Sequence, residues 1–355
     1  MMTREDLNKL LRHSQPVVER DLSGFDFRGE PLRGAVFVKT DLRSARLAGC
    51  DLSSASFSKC DLTGADVGDA VIHACMFADC KLFAVRFAVR TLEHTGFTRC
   101  DLTSSDWADR QITACTWVSC DLRKANLQGA RLTRSAAMTS HFEDACWARV
   151  TLNRVALTDI DFRAVDLTGI RADTAVLINA NLSGQSLAGS SLRRCTLQGA
   201  DLSDADLSGA DLTNANCVGA KFLRTRLHGV QAASAMFLEA QIHQSDWSEA
   251  NLAGAVLQKV QVGDSTFERA QATRAVWTQS VLHNVSFAGA DLSLADFSHA
   301  RLTRVDFKKA RLESSRLHNA VLDEVAISRR SRWRTVGTDQ KLLDAERNVL
   351  AAGVM

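Results

Sequence analysis

A large apolar side chain recurs every five residues from Leu22 to Ile327, and no insertion breaks the count. The stretch GADLSDADLSGADLTNAN, Gly199 to Asn216, shows the beat, with Leu202, Leu207 and Leu212 in step. Of the 62 positions in this register, 57 are Leu, Ile, Val, Phe or Trp; the exceptions are Ala137, Ala172, Cys217, Ala232 and Ala272. Such a period suits neither an α-helix nor a simple alternating strand. An internal repeat of this length decides the architecture before any other assignment is made.

The residue two before each large one, which we call the centre, is small. Residues two apart on an extended backbone point to the same side, so the small residue and the centre share an inward face. The residue two after the centre must turn a corner. Glycine adopts positive φ without steric cost, and 15 of the 20 glycines fall there, from Gly24 to Gly289. The unit is therefore a short strand plus a turn. Four such units make a 20-residue coil, and coils stack at about 4.8 Å through main-chain hydrogen bonds. The count predicts about 15 coils in a rod roughly 75 Å long.

The pattern Ala-(Asp/Asn)-Leu-x-x, as at Ala200-Asp201-Leu202 and Ala290-Asp291-Leu292, resembles the pentapeptide-repeat family. That resemblance implies an all-β solenoid, a right-handed quadrilateral β-helix. It also implies a non-catalytic protein that binds others through its surface. Some members of the family accompany bacterial secretion systems, and others inhibit or protect type II topoisomerases by resembling DNA.

The expected domains are an N-terminal helical cap over 1–20, the β-helix over 21–328, and a basic segment with a C-terminal helix over 329–355. The cap is predicted as a helix over residues 3–13, with Thr3 capping it and Leu7, Leu10 and Leu11 on one face. Phe25 and Glu30 stand in the normally small column, so the first coil should be irregular. At the other end, Thr338 is expected to open a helix whose stripe is Leu342, Ala345 and Val349, with Leu343 and Leu350 beside it. That helix is a cap over the last coil; a homodimer interface through Leu342, Leu343, Val349 and Leu350 is the alternative.

With 43 basic and 41 acidic residues the chain carries a formal charge of +2, which gives no global pull toward nucleic acid. No apolar run reaches membrane-spanning length and residues 1–20 lack a secretory core, so a cytoplasmic address is expected. Of ten cysteines, Cys50, Cys60, Cys75, Cys80, Cys100, Cys115, Cys120 and Cys195 occupy the small inward column. They read as reduced thiols serving as small hydrophobes, with no metal. Histidines are dispersed, and neither a nucleophile motif nor a phosphate-cradling loop stands out, so no catalytic residue and no cofactor is expected.

The outward positions must then carry function. Sorting them by residue number modulo 20 separates four sides. Side one carries a column of aspartates from Asp21 to Asp201, interrupted by Lys81 and His141 and accompanied by Arg43, Arg123 and Arg163. Side three is basic over its middle: Arg131, Arg134, Arg154, Arg171, Arg193 and Arg194, preceded by Arg90 and Arg110 in the inward column. Those two must either bulge the backbone or escape toward Glu93, Asp106 or Asp109. This side could hold an acidic protein surface or a phosphate-rich ligand. Side four is apolar at 15 of its 30 outward positions from 36 to 318, against four of 32 on side one. Val118, Met138, Val176, Ile178, Val218, Met236, Leu238 and Val256 mark it as a candidate protein-docking face. The leading expectation is a rigid, non-catalytic interaction scaffold in a bacterial cytoplasm, a secretion-system accessory of the type VI kind. The rival is a DNA-mimicking gyrase inhibitor or protection protein, which the near-neutral charge disfavours.

Overall fold

The computed structural model describes residues 3–89, 91–328 and 335–351; within these, the side chains of 91 and 347–351 are left aside. The chain divides into two units, Met1–Asn181 and Leu182–Met355. Each is a quadrilateral β-solenoid of 20-residue coils with parallel ladders.

In the first unit the regular strands run on sides three and four. Side four carries β1 (Val17–Val18), Val36–Val38, Ser56–Ser58, Met76–Ala78, Gly96–Thr98, Thr116–Val118, Ala136–Met138 and Ala156–Thr158 as one eight-stranded sheet. Side three carries Val71–His73, Thr91–Glu93, Gln111–Thr113, Arg131–Thr133, Thr151–Asn153 and Arg171–Asp173. Each residue pairs with the one twenty further on, as Thr116 with Ala136 and Ala136 with Ala156. The other two sides are single-residue bridges, such as Asp41 to Asp61. In the second unit the long sheet lies on side one instead: Lys221–Leu223, Gln241–His243, Gln261–Thr266, Val281–Ser286, Arg301–Asp306 and Val321–Asp323.

The inward columns fill both interiors. Centres from Phe27 to Leu312 are buried, and Trp107, Trp147, Trp247 and Trp277 are among the largest side chains fully enclosed. The rings stack along the ladder, Phe37 on Phe57 at 5.1 Å and Phe57 on Phe77 at 4.9 Å. Burying each such side chain contributes roughly 1.5–3 kcal/mol.

Two kinds of corner explain the columns. At a closed corner the small residue's N–H bonds back to the preceding centre carbonyl, as Ala205 to Leu202 at 3.2 Å. The residue after the centre gives its N–H to the aspartate before it, as Ser203 to Asp201 Oδ1 at 3.0 Å. Asp and Asn side chains favour this local bond, and every described corner with Asp or Asn just before the centre is closed. At an open corner the residue after the centre joins the strand ladder. Where the following small side chain is a thiol or hydroxyl, it then donates to backbone carbonyls. Cys100 Sγ reaches Phe77 O and Thr98 O, both at 3.4 Å, and Ser245 Oγ reaches Phe222 O at 2.6 Å. Cys60, Cys75, Cys80, Cys100, Cys115 and Cys120 all follow open corners. The cysteines are thus more than small hydrophobes: they are donors suited to a tight inward column. Glycine is not obligatory at the corner either. Arg134, Arg154 and Leu294 stand there with φ of 52°, 54° and 63°, at about 1 kcal/mol each or somewhat more.

The N-terminal helix α1 spans Arg4–Arg12, with Thr3 and Asp6 forming a reciprocal capping box. Leu7 and Leu11 are buried, while Leu10 stays half-exposed. The irregular first coil is what receives this helix. Arg4 pairs with Glu30 at 3.1 Å, bonds the Asp26 carbonyl, and lies 5.5 Å from the Phe25 ring.

The C-terminal helix α2 spans Gln340–Ala351. Its cap is Asp339, not Thr338: the Asp339 carboxylate accepts the N–H groups of Lys341 at 3.0 Å and Leu342 at 3.1 Å. Thr338 Oγ1 instead accepts the Asn319 N–H. Among the described side chains of the helix, the buried one is not in the expected stripe. Leu343 is buried, whereas Leu342 is 49% exposed and Ala345 faces solvent. The reason is polar: Glu346, one turn from Leu343, is drawn to His299 and His318. The helix does not close the last coil fully, since the centre Leu322 remains 38% exposed.

Candidate functional surfaces

With the interiors filled, the candidate sites are walls. On side four of the first unit, Val118 and Met138 are ladder partners; Met138 is 48% exposed and Val118 half-buried. Val176 bridges Ala156 and so extends the neighbouring column of Thr116, Ala136 and Ala156, and Val176 and Ile178 are both half-buried. On side four of the second unit, Asn216, Met236, Val256 and Val276 form consecutive bridges. Met236 is exposed there, with Val218, Leu238 and Val256 half-buried around it. All eight residues assigned from the sequence therefore stand outward, four on each unit.

Of the basic residues, Arg131, Arg134, Arg154 and Arg171 are exposed on side three of the first unit. Arg110 takes the closed-corner bond to Trp107 O at 3.2 Å, so its backbone does not bulge. Its side chain is half-buried and forms no ion pair with Glu93, Asp106 or Asp109. Arg90 lies outside the described residues. Arg193 and Arg194 belong to the second unit, where Arg193 pairs with Asp211 at 3.3 Å.

The aspartate column of side one is committed locally. Asp41, Asp121 and Asp161 are gripped by Arg43, Arg123 and Arg163, whose guanidinium hydrogen bonds hold these carboxyls below the usual carboxylate range. Beside them is an open polar depression lined by Thr103, Asp121, Arg123, Lys124, His141, Glu143 and Asp144. Within it Arg123 Nε bonds Asp121 at 2.9 Å, and His141 Nδ1 lies 3.4 Å from Glu143.

Sequence reasoning missed one polar cluster. His299 and His318 both approach Glu346, each at 3.4 Å. A metal-bound histidine donates its second ring N–H outward. Here His318 Nδ1 instead accepts the Asp339 backbone N–H at 3.1 Å, so Nε2 carries the proton and points to the carboxylate. The cluster is a clamp for α2, and His318 offers no lone pair to a metal ion. The residues lie up to 47 positions apart, and no local motif announces them. In the expected helix interface, Leu343 is buried against its own unit and Leu342 is free; the side chains of Val349 and Leu350 lie outside the described ones. The arginines of 329–334 are likewise outside them. No described helix is long and apolar enough to cross a membrane.

Family models support the repeat reading over more than half of the chain. A pentapeptide repeat region matches residues 50–127, and pentapeptide repeats of eight copies match 156–194, 175–214, 190–229, 263–298 and 290–328. No curated protein matches. Among solved structures, HetL, a pentapeptide repeat protein involved in heterocyst differentiation regulation from the cyanobacterium Nostoc sp., is 24% identical. That match covers 59% of this chain and 89% of HetL, with a TM-score of 0.37. Full-length QnrB1, a plasmid-mediated fluoroquinolone resistance protein, is 19% identical over 67% of this chain and 98% of its own, with a TM-score of 0.32. Rfr23, a pentapeptide repeat protein from the cyanobacterium Cyanothece, is 18% identical over 45% of this chain and 91% of its own, with a TM-score of 0.14.

Proposed function

The chain belongs to the pentapeptide-repeat family, and from that premise we propose that it is a non-catalytic scaffold that binds proteins through its outer walls. One observation carries this reading: both interiors are packed with side chains from the first coils to Leu312, so the walls are what a second molecule can touch. Side four is the docking face in this proposal, because its exposed Met138 and Met236 are flanked by half-buried valines, isoleucine and leucine. Apolar surface of this kind marks interfaces, and methionine adapts to irregular partners. The proposed setting is a bacterial cytoplasm, as an accessory of a secretion system. That form draws on the habits of the family, and the genes neighbouring this one test it.

The test of the face is capture of the partner from the native host. Val176→Glu with Ile178→Glu should abolish capture while leaving the circular dichroism spectrum unchanged; undiminished capture removes side four from the proposal. DNA mimicry at a topoisomerase is the weaker reading, because Asp41, Asp121 and Asp161 of side one are paired with Arg43, Arg123 and Arg163. A gyrase supercoiling assay with neither inhibition nor protection is the expected result.

A further inference from the structure

Several arginines of the first unit hold a carboxylate, and others do not. On side one, Arg43, Arg123 and Arg163 each hold an aspartate two residues away, and Arg99 at a side-four corner holds Asp79 at 2.7 Å. On side three, Arg131, Arg134, Arg154 and Arg171 form no ion pair with any described residue. All four are exposed.

Their placement is regular. Arg131 and Arg171 flank Thr151 in one ladder column, each one rung from it. Arg134 and Arg154 occupy the same corner on successive coils, where Arg134 N–H bonds Asn153 O and Arg154 N–H bonds Asp173 O. Successive rungs are about 4.8 Å apart, and like charges on neighbouring rungs repel. The fold therefore holds four cations on one wall, none of them in an ion pair with a described carboxylate, Asp173 on the same wall included. A guanidinium binds a carboxylate through two parallel hydrogen bonds, so anionic groups from outside would relieve that repulsion.

We propose that the wall carrying Arg131, Arg134, Arg154 and Arg171 docks an acidic segment of a partner protein. This rests on the wall-binding reading above and adds the chemistry of one partner surface. Carboxylates fit better than a nucleic acid because single-stranded binders stack bases on exposed aromatic rings, whereas the rings closest in sequence to this wall, Trp117, Phe142, Trp147 and Phe162, are buried.

The experiment uses the full chain, a fluorescein-labelled hexaglutamate peptide and a labelled oligothymidylate with six phosphates, read by fluorescence anisotropy. The peptide should bind saturably and release as salt rises. Arg134→Gln with Arg154→Gln and Arg171→Gln should weaken it at least tenfold, while Arg123→Gln on side one leaves it unchanged. Because the triple substitution removes repulsion, its melting temperature should equal or exceed the parent's, which separates lost docking from lost folding. Absence of peptide binding, equal binding by the triple variant, or tighter binding of the oligonucleotide each overturns the assignment. The side-four variants are measured separately, so the arginine wall can fail while that docking face stands.

Discussion

The two units use one repeat and place their regular strands on different sides. In the first, sides three and four run open and their inward columns carry thiols and hydroxyls: Thr40, Cys60, Cys80, Cys100, Cys120 and Ser140 on one, Cys75, Thr95, Cys115 and Ser135 on the other. In the second, side one is open, and Thr225, Ser245 and Ser265 give way to Val285 and Val305. The difference teaches that the apolar beat sets where the core is and leaves the corner undecided. Outward aspartate or asparagine closes the corner. Where it is absent, the neighbouring rungs choose.

The contrast can be broken most strongly by installing the closing residue in an open sheet. Thr116 is exposed, and its strand pairs with Gly96–Thr98 on one side and Ala136–Met138 on the other. Thr116→Asp should draw the Val118 N–H out of that ladder and cost about 1–3 kcal/mol in chemical denaturation. The same substitution at Ser186, whose corner is already closed by Ser190 N–H to Leu187 O, should be neutral or mildly stabilising. Equal effects at both sites would refute the corner rule.

A smaller effect separates the donors of the two units. Ser245→Ala removes bonds to Phe222 O at 2.6 Å and His243 O at 2.9 Å, and should cost about 1–2 kcal/mol. Cys100→Ala removes weaker S–H donors at 3.4 Å and should cost about half as much in the same assay.

The smallest energetic effect comes with the sharpest chemical readout. Burial pushes the Cys75 thiol up to about 12 and Cys115 up to about 11. A raised folded value stabilises the fold below the ordinary thiol range, near pH 8.5, and that contribution is lost as pH rises through the folded value. Native protein at pH 8 should therefore react with a maleimide at Cys146, the one half-exposed thiol, with the others labelling only on unfolding. Rapid modification of the Cys60–Cys120 column would contradict the closed packing of the first unit.

Much of the fold was legible because periodicity is a local property. Leu202, Leu207 and Leu212 declare their column by spacing alone, and the glycines mark corners whose backbone they relax. Outward residues could be sorted by counting, and the eight apolar positions and the exposed Arg131, Arg134, Arg154 and Arg171 face outward. Charge pairing could not be counted in the same way. Asp161 and Arg163 share a side, and so do Arg171 and Asp173, yet of these two only the first forms an ion pair among the described residues.

By itself, then, the order of residues determined the coil, its filled interior and the identity of each wall, since each follows from every fifth residue being apolar. Only the tertiary structure decided which corners open and how the C-terminal helix sits. Met236 and Val276 lack an outward acid yet stand at closed corners, as the bonds from Ala240 to Phe237 and Ser280 to Trp277 show. A strand rung forms only if the rungs stacked on it are extended too, and Glu346 finds His299 and His318 only once the coils bring them together. Both outcomes depend on neighbours twenty or more residues away, which no local pattern records.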